Sequence, residues 1–329
     1  MAARKRARTK KRVVTRARSA ERAAIDQGRA LAAQAIKARA RRGPATRAKG
    51  ASSGLLIAEG DSWFDYPFFD TLERLEDAFG FEIESVAHKG DTVEGMAYDE
   101  SQTQTLARVF EKVAGRGGQP RAILLSGGGN DIAGDELAIM LNHASSGLPP
   151  INDSVVQGVI DVRLKTALLT VISGVTALSK HYFNRTVPVL IHGYARPVPD
   201  GRGYLGGGWI LPGPWLKPGF TQKGYGSVAG NCGLIGTLID RFNAMLQTLP
   251  ATPGLGHVTY VDLRPVLATD PGGPYKKMWN DELHPTKPGF ELVAGAFNKV
   301  IAGFAAPGAR GRGGPAARSS GRVAARRKK

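Results

Sequence analysis

Leu55-Leu56-Ile57-Ala58-Glu59-Gly60-Asp61-Ser62-Trp63 is a short apolar run that ends on Gly-Asp-Ser. A run of this length bounded by glycine reads as a buried strand. It sets the Ser62 hydroxyl at the carboxyl end of that strand, the edge where open α/β sheets bind their ligands. Further apolar runs at 82–87, 122–126, 187–192 and 258–263 alternate with helical patterns near 71–79, 103–114, 134–141, 155–183, 234–249 and 289–304. The alternation predicts an α/β fold, a five-stranded parallel sheet with helices on both faces. The longest helical pattern contains Gly174, a candidate kink. No repeat of fixed period is present, which excludes a solenoid.

The formal charge of +17 is unevenly spread. Residues 1–50 carry 17 Lys and Arg against only Glu21 and Asp26, residues 305–329 carry 8 Lys and Arg and no acid, and residues 51–304 are left with a net charge of −6. Both arms are poor in large apolar side chains and read as disordered. Within the first, residues 19–42 are rich in Ala and are expected to become helical against an anionic partner, with Ser19 as N-cap. Such arms bind polyanions by neutralising phosphates, and the expected partner is nucleic acid or an anionic surface. The arms lack the aromatics of a base-stacking platform, so sequence-specific recognition is not expected.

Cys232 is the single cysteine, so no intramolecular disulfide can form and a reducing compartment is expected. No apolar run is long enough to span a membrane, and no apolar stretch follows the basic N-terminus as in a signal peptide. A cytoplasmic location follows as the expectation. An organelle transit peptide would account for the N-terminal arm but not for the equally basic C-terminal one.

Residues 193–233 interrupt the alternation: they are crowded with Gly and Pro and carry Tyr204, Trp209, Trp215, Phe220 and Tyr225. An insertion of this kind reads as a lid or cleft wall, or as a surface loop packed by its own aromatics. The body, residues 51–304, is thus expected to be one domain with this insertion.

A serine hydroxyl becomes a nucleophile only with a general base in hydrogen-bond reach and a group that orients the base. His284 is the candidate base, because Asp281 precedes it by three residues and a turn can bring that carboxylate to the imidazole. Taken alone, Asp281–His284 would equally serve as a turn ahead of the helix near 289. Attack on an acyl carbonyl also needs donors for the oxyanion. The candidates are the backbone N–H of Ser62, the backbone N–H of Gly90 and the side-chain amide of Asn130, which follows a glycine-rich strand end. Asp61, Trp63, His192, Trp209 and Trp215 are candidate cleft residues, with Trp63 expected to add bulk at the pocket mouth. His88 is expected to support the cleft. No His, Cys and carboxylate cluster has metal-ligand spacing, and Ser126-Gly127-Gly128-Gly129 is not followed by the Gly-Lys-Ser/Thr of a phosphate loop. No metal or cofactor is expected.

These residues resemble the SGNH hydrolases, the GDSL esterase/lipase superfamily. Gly60-Asp61-Ser62 matches the first sequence block, Gly90 the second, Gly128-Gly129-Asn130-Asp131 the third, and Asp281 with His284 the last, across residues 55 to about 304. Trp63 stands where the family often has Leu, and Ala87-His88-Lys89 where many members have an Asn ahead of the glycine. The resemblance implies a flavodoxin-like α/β/α sandwich without cofactor. It further implies that Ser62 is the nucleophile, His284 the base, Asp281 its orienter, and Ser62, Gly90 and Asn130 the oxyanion hole. The function so implied is hydrolysis of carboxylic esters through an acyl-enzyme, with lipid, acetylated sugar and thioester all open as substrates and acyl transfer to an alcohol a near variant. The rival reading is a nucleic-acid-associated protein that uses an idle hydrolase fold as a scaffold.

Overall fold

The computed structural model describes residues 52–204 and 212–305; both basic arms, including the helix expected at 19–42, and Trp209 lie outside the described residues. The five predicted strands are present as β1 (Leu55–Gly60), β2 (Glu82–Ser85), β3 (Pro120–Ser126), β4 (Val189–His192) and β5 (Val258–Val261). All pairings are parallel and the order is β2-β1-β3-β4-β5, the flavodoxin-like order. β1, β3 and β4 are buried almost throughout, as expected for parallel strands covered on both faces. β2, at the edge, is only half-buried.

The principal helices are α1 (Thr71–Phe79), α2 (Val93–Tyr98), α3 (Glu100–Gly115), α4 (Lys165–Phe183), α5 (Lys217–Gln222), α6 (Val228–Thr248) and α7 (Lys287–Ala302). Their ends are written locally. Asp70 caps α1 by accepting from the Glu73 N–H, and Gly80 closes it in the left-handed conformation; Ser227 and Thr286 cap α6 and α7 in the same manner. α1 packs on α7, while α2 and α3 pack on α4, and α6 packs on the segment that leads into α4. These groups form the two outer layers of the sandwich.

Two expectations are refined. Gly174 lies within the continuous α4, and the irregular stretch of the long helical pattern from 155 is a π-helical segment at Gln157–Leu164. The insertion at 193–233, which breaks the alternation in sequence, carries helix in its described residues, α5 and the first turn of α6.

From β1 the chain passes to β2 on one side, and later to β3 on the other. The loops after β1 and β3 therefore part at the carboxyl edge and leave a crevice between them. Gly60 stands opposite Ser126 at that edge, so Asp61-Ser62 and Gly127-Gly128-Gly129-Asn130 emerge side by side.

Candidate active site

The loop after β1 is held in shape by Asp61, which is buried. Its Oδ1 accepts the Trp63 N–H at 3.0 Å and the Ser126 hydroxyl at 2.7 Å, and its Oδ2 accepts the Tyr194 hydroxyl. The turn leaves Ser62 between its fixed neighbours. Across from it, Trp279 bridges Pro285 and the Asn280 N–H donates to the His284 carbonyl, closing a tight loop. Inside that loop Asp281 Oδ1 accepts the N–H groups of Leu283 and His284, each at 2.8 Å. The three-residue spacing thus becomes an Asx-type turn.

These two loops meet through side chains. His284 Nδ1 lies 2.9 and 3.0 Å from the two oxygens of Asp281, and His284 Nε2 lies 2.8 Å from Ser62 Oγ. With the Nδ1–H donating a hydrogen bond to the carboxylate, Nε2 is left as an acceptor for the serine hydroxyl. Burial works to raise the Asp281 carboxyl, but the hydrogen bond and charge of His284 and the two backbone N–H groups outweigh it and hold it below its ordinary value. A carboxylate this well supplied with donors stays ionised.

The loop after β2 is drawn against the same edge. The His88 N–H donates to the Gly60 carbonyl at 2.8 Å and the Lys89 N–H to Asp65 at 3.1 Å. Asn130 Nδ2 donates to the Asp91 carbonyl at 2.8 Å and Asp131 Oδ2 accepts the Val93 N–H at 3.0 Å, so the loops after β2 and β3 are tied together. Gly90 has φ near +90°, a conformation that a side chain disfavours. Among the described residues, the N–H groups of Ser62 and Gly90 take part in no backbone hydrogen bond of the loops. Gly128 is required twice over: its φ is +112°, and a Cβ there would lie 2.3 Å from the Phe242 ring.

Of the candidate cleft residues, Asp61 and Trp63 border a small cavity together with Ser62 and Asn130. Trp63 does not stand at a mouth. It is 3% exposed, its Nε1 donates to the Leu283 carbonyl at 3.0 Å, and its ring contacts Tyr194, Trp279 and Phe290 edge-on, so it braces the serine loop against the histidine loop. His192 does not line the cavity; it is buried behind Asp61, with Nε2 2.7 Å from Ser126 Oγ and a pKa lowered by burial. Trp215 stands edge-on to His284 at 5.3 Å. His88 is half-exposed and pairs with Asp91 at 3.3 Å, the hydrogen bond that raises its pKa. Among the described residues no group of His, Cys, Asp and Glu could hold a metal ion.

Three contributors escaped the sequence reading. Tyr66 donates to Asp281 Oδ2 at 2.9 Å and stacks its ring on His284 at 4.4 Å. Tyr194 and Ser126 satisfy Asp61. A tyrosine four residues after the serine, in Trp63-Phe64-Asp65-Tyr66, is indistinguishable in sequence from core; only its partner 215 positions away gives it a role.

No family model and no curated protein matches the chain. The solved structures similar to it include SGNH and GDSL hydrolases. One is a protein described as a candidate SGNH hydrolase from Slackia heliotrinireducens, 12% identical with a TM-score of 0.42, covering 76% of this chain and 100% of that one. Another is a catalytic mutant of Axe2, an acetylxylan esterase from Geobacillus stearothermophilus, 15% identical with a TM-score of 0.38, covering 78% and 98%. A third is a protein of the G-D-S-L family from Desulfitobacterium hafniense DCB-2, 15% identical with a TM-score of 0.39, covering 75% and 99%. At such identities the functional reading rests on the geometry of the site.

Proposed function

We propose that the chain is a serine hydrolase of the SGNH type that cleaves carboxylic esters through an acyl-enzyme. The observation that carries this is the unbroken line from Asp281 through both nitrogens of His284 to Ser62 Oγ, with contacts of 2.9 and 2.8 Å. Ser62 Oγ attacks the ester carbonyl carbon while its proton passes to His284 Nε2. The oxygen that becomes negative is met by the N–H groups of Ser62 and Gly90 and by the Asn130 amide, donors that are fixed before the substrate arrives. His284 then protonates the departing alcohol, leaving the acyl group on Ser62. Water repeats the sequence in place of Ser62, and the acid departs. Asp281 keeps the imidazole in the tautomer this needs and offsets the charge of the imidazolium. Tyr66, whose phenol is kept protonated by burial and by the Asp281 charge, holds the second carboxylate oxygen and lies under the imidazole ring.

Residues 1–50 and 305–329 act, in this reading, as arms that hold the enzyme on a polyanion. Their combined positive charge beside a mildly acidic body supports it.

Hydrolysis of p-nitrophenyl esters from acetyl to decanoyl, with Ser62→Ala beside the unaltered chain, tests the chemistry. Activity lost in the variant is the expected result. Equal, background-level rates for both chains at every length would end the esterase reading and leave the scaffold reading. Retention on DNA that weakens steeply with salt and disappears on deletion of both arms is the expected behaviour of the tethers; retention unchanged by the deletion would remove them from the account.

A further inference from the structure

Glu282 is the unexplained neighbour of Asp281. It has no exposed surface and its carboxylate has no bond to the serine and histidine loops. Instead it accepts four backbone N–H groups of the insertion: Gly201 at 2.8 Å, Trp215 at 2.8 Å, Leu216 at 2.7 Å and Lys217 at 3.2 Å. The two limbs of the insertion, before and after residues 205–211, are thus gathered on one side chain. Leu216 offers α5 no side-chain cap, and Glu282 supplies the missing acceptor from a distant part of the chain. A second tie runs the other way, from Arg202 Nη1 to the carbonyls of Trp279 and Asn280 at 2.9 and 3.0 Å. Burying a carboxylate costs several kcal/mol unless it is fully hydrogen-bonded. The four donors work against that cost, although burial still leaves the carboxyl above its ordinary value, and together they fix the position of the backbone at Trp215-Leu216.

That position matters because Leu216 borders the cavity that starts at Ser62 and Asn130. Its apolar wall includes Ile132 and Ala133 after β3, Ala195 and Pro197 after β4, and Ile235 and Ile239, four apart on one face of α6. Among its wall residues Ile132, Ala133, Ala195, Leu216, Ile235 and Ile239 are themselves buried, so the wall has little room to yield. The free space inside is about 30 Å³ on the scale that assigns roughly 10–15 Å³ to one water. Two or three methyl-sized groups fill it.

We propose that this cavity is an acyl pocket for an unbranched acyl group of two to four carbons, and that Glu282 is the positioning residue that fixes its wall at Leu216. The proposal rests on the ester-hydrolase reading and adds to it the class of acyl group. A wall of these apolar side chains disfavours a charged or hydroxylated acyl chain, which would leave its polar atoms unpaired. A long fatty chain that follows this wall runs into Leu216 and the α6 isoleucines.

The test is kcat/KM across p-nitrophenyl esters from acetyl to decanoyl for the unaltered chain, Leu216→Ala and Glu282→Gln, with circular dichroism melts for all three. The unaltered chain is expected to peak between acetyl and butyryl and to fall at least tenfold by octanoyl. Leu216→Ala is expected to move the peak to hexanoyl or longer. Glu282→Gln, which turns an acceptor of four N–H groups into a side chain with an N–H₂ of its own, is expected to flatten the butyryl-to-octanoyl ratio by raising KM for the short esters more than it lowers kcat. A peak at octanoyl or beyond in the unaltered chain overturns the proposal while leaving the hydrolase reading intact, whereas no hydrolysis above Ser62→Ala overturns both. If Glu282→Gln does not fold, Leu216→Ala decides the pocket alone: an unchanged length profile in that variant overturns it.

Discussion

Among the described residues two buried serine–histidine contacts are of nearly equal length, Ser62 with His284 at 2.8 Å and Ser126 with His192 at 2.7 Å. Only the first is arranged for chemistry. In it the carboxylate lies on the far side of the imidazole, where Asp281 accepts the Nδ1–H hydrogen bond and Nε2 is left free to receive a proton. In the second, Asp61 lies on the serine side and takes the Ser126 hydroxyl at 2.7 Å, while His192 Nδ1 faces only the Gly193 carbonyl at 3.0 Å. A hydroxyl that already donates to a carboxylate is a poor proton source for imidazole, because the charged acceptor is the stronger partner. Ser62 also borders the cavity, and Ser126 does not. What separates the proposed nucleophile from a structural hydroxyl is thus the order of the three groups and access to space, with distance playing no part.

Substitutions on each side of this comparison can break it. Ser62→Ala should lower ester hydrolysis by about 10⁶-fold and Asp281→Asn by about 10⁴-fold, as for comparable triads, read as kcat on the best ester. An Asp281→Asn loss below tenfold would show that the carboxylate orients nothing. Asn130→Ala should cost about 10²- to 10³-fold in kcat; a change confined to KM would remove the amide from the oxyanion site. Ser126→Ala should cost less than tenfold in kcat and instead roughly 1–3 kcal/mol of stability, because Asp61 and His192 lose a buried partner. Denaturant titration measures the second quantity, and a loss of activity as large as that of Ser62→Ala would overturn the contrast between the pairs.

A second contrast concerns two buried carboxylates. Asp281 has four donors and is held below its ordinary pKa, whereas Glu59, 2% exposed and with neither oxygen hydrogen-bonded, is pushed up to about 9 by burial and then by the Asp91 charge. The folded chain therefore keeps a proton on Glu59 up to about pH 9, while the unfolded chain releases it near 4.5. The contribution of this proton to stability is complete below pH 4.5 and is lost as the pH rises toward 9, by up to about 1.4 kcal/mol per pH unit. Asp131, raised to about 6 chiefly by burial, adds a decline of the same sign over a narrower range. Glu59→Gln cannot titrate, so its Tm should fall less between pH 5 and 9 than that of the unaltered chain. Parallel Tm curves for the two would place an ionised Glu59 in the core. Asp281 works in the opposite direction: its stabilisation is present above the ordinary carboxylate range and lost on acidification.

Much of the sheet was legible from the chain because each strand carries its own apolar run and glycine or turn boundary. Leu55–Gly60 and Pro120–Ser126 extend the expected strands by one and two residues, and β2, β4 and β5 are two residues shorter than their apolar runs at one end. Helix starts were less legible. α2 falls outside every expected helix and α3 begins three residues ahead of the expected start at 103; the two part because Asp99 ends the first and caps the second. The π-helical turn at 157–164 has no local signature at all.

By itself the sequence determined the parallel five-stranded layout, the charge division between body and arms, and the set of residues from which a serine site could be assembled. These are properties of local pattern and of residue type, which no later packing can alter. Tertiary structure decided which serine meets which histidine on which side, that Trp63 braces two loops, and that Tyr66 stands behind Asp281. It also decided that Glu282 binds the insertion to the histidine loop. Each of those depends on a partner between 66 and 222 positions away. Such contacts form only after the sheet has brought its carboxyl edges together, and nothing in the residues on either side of the gap encodes the distance between them.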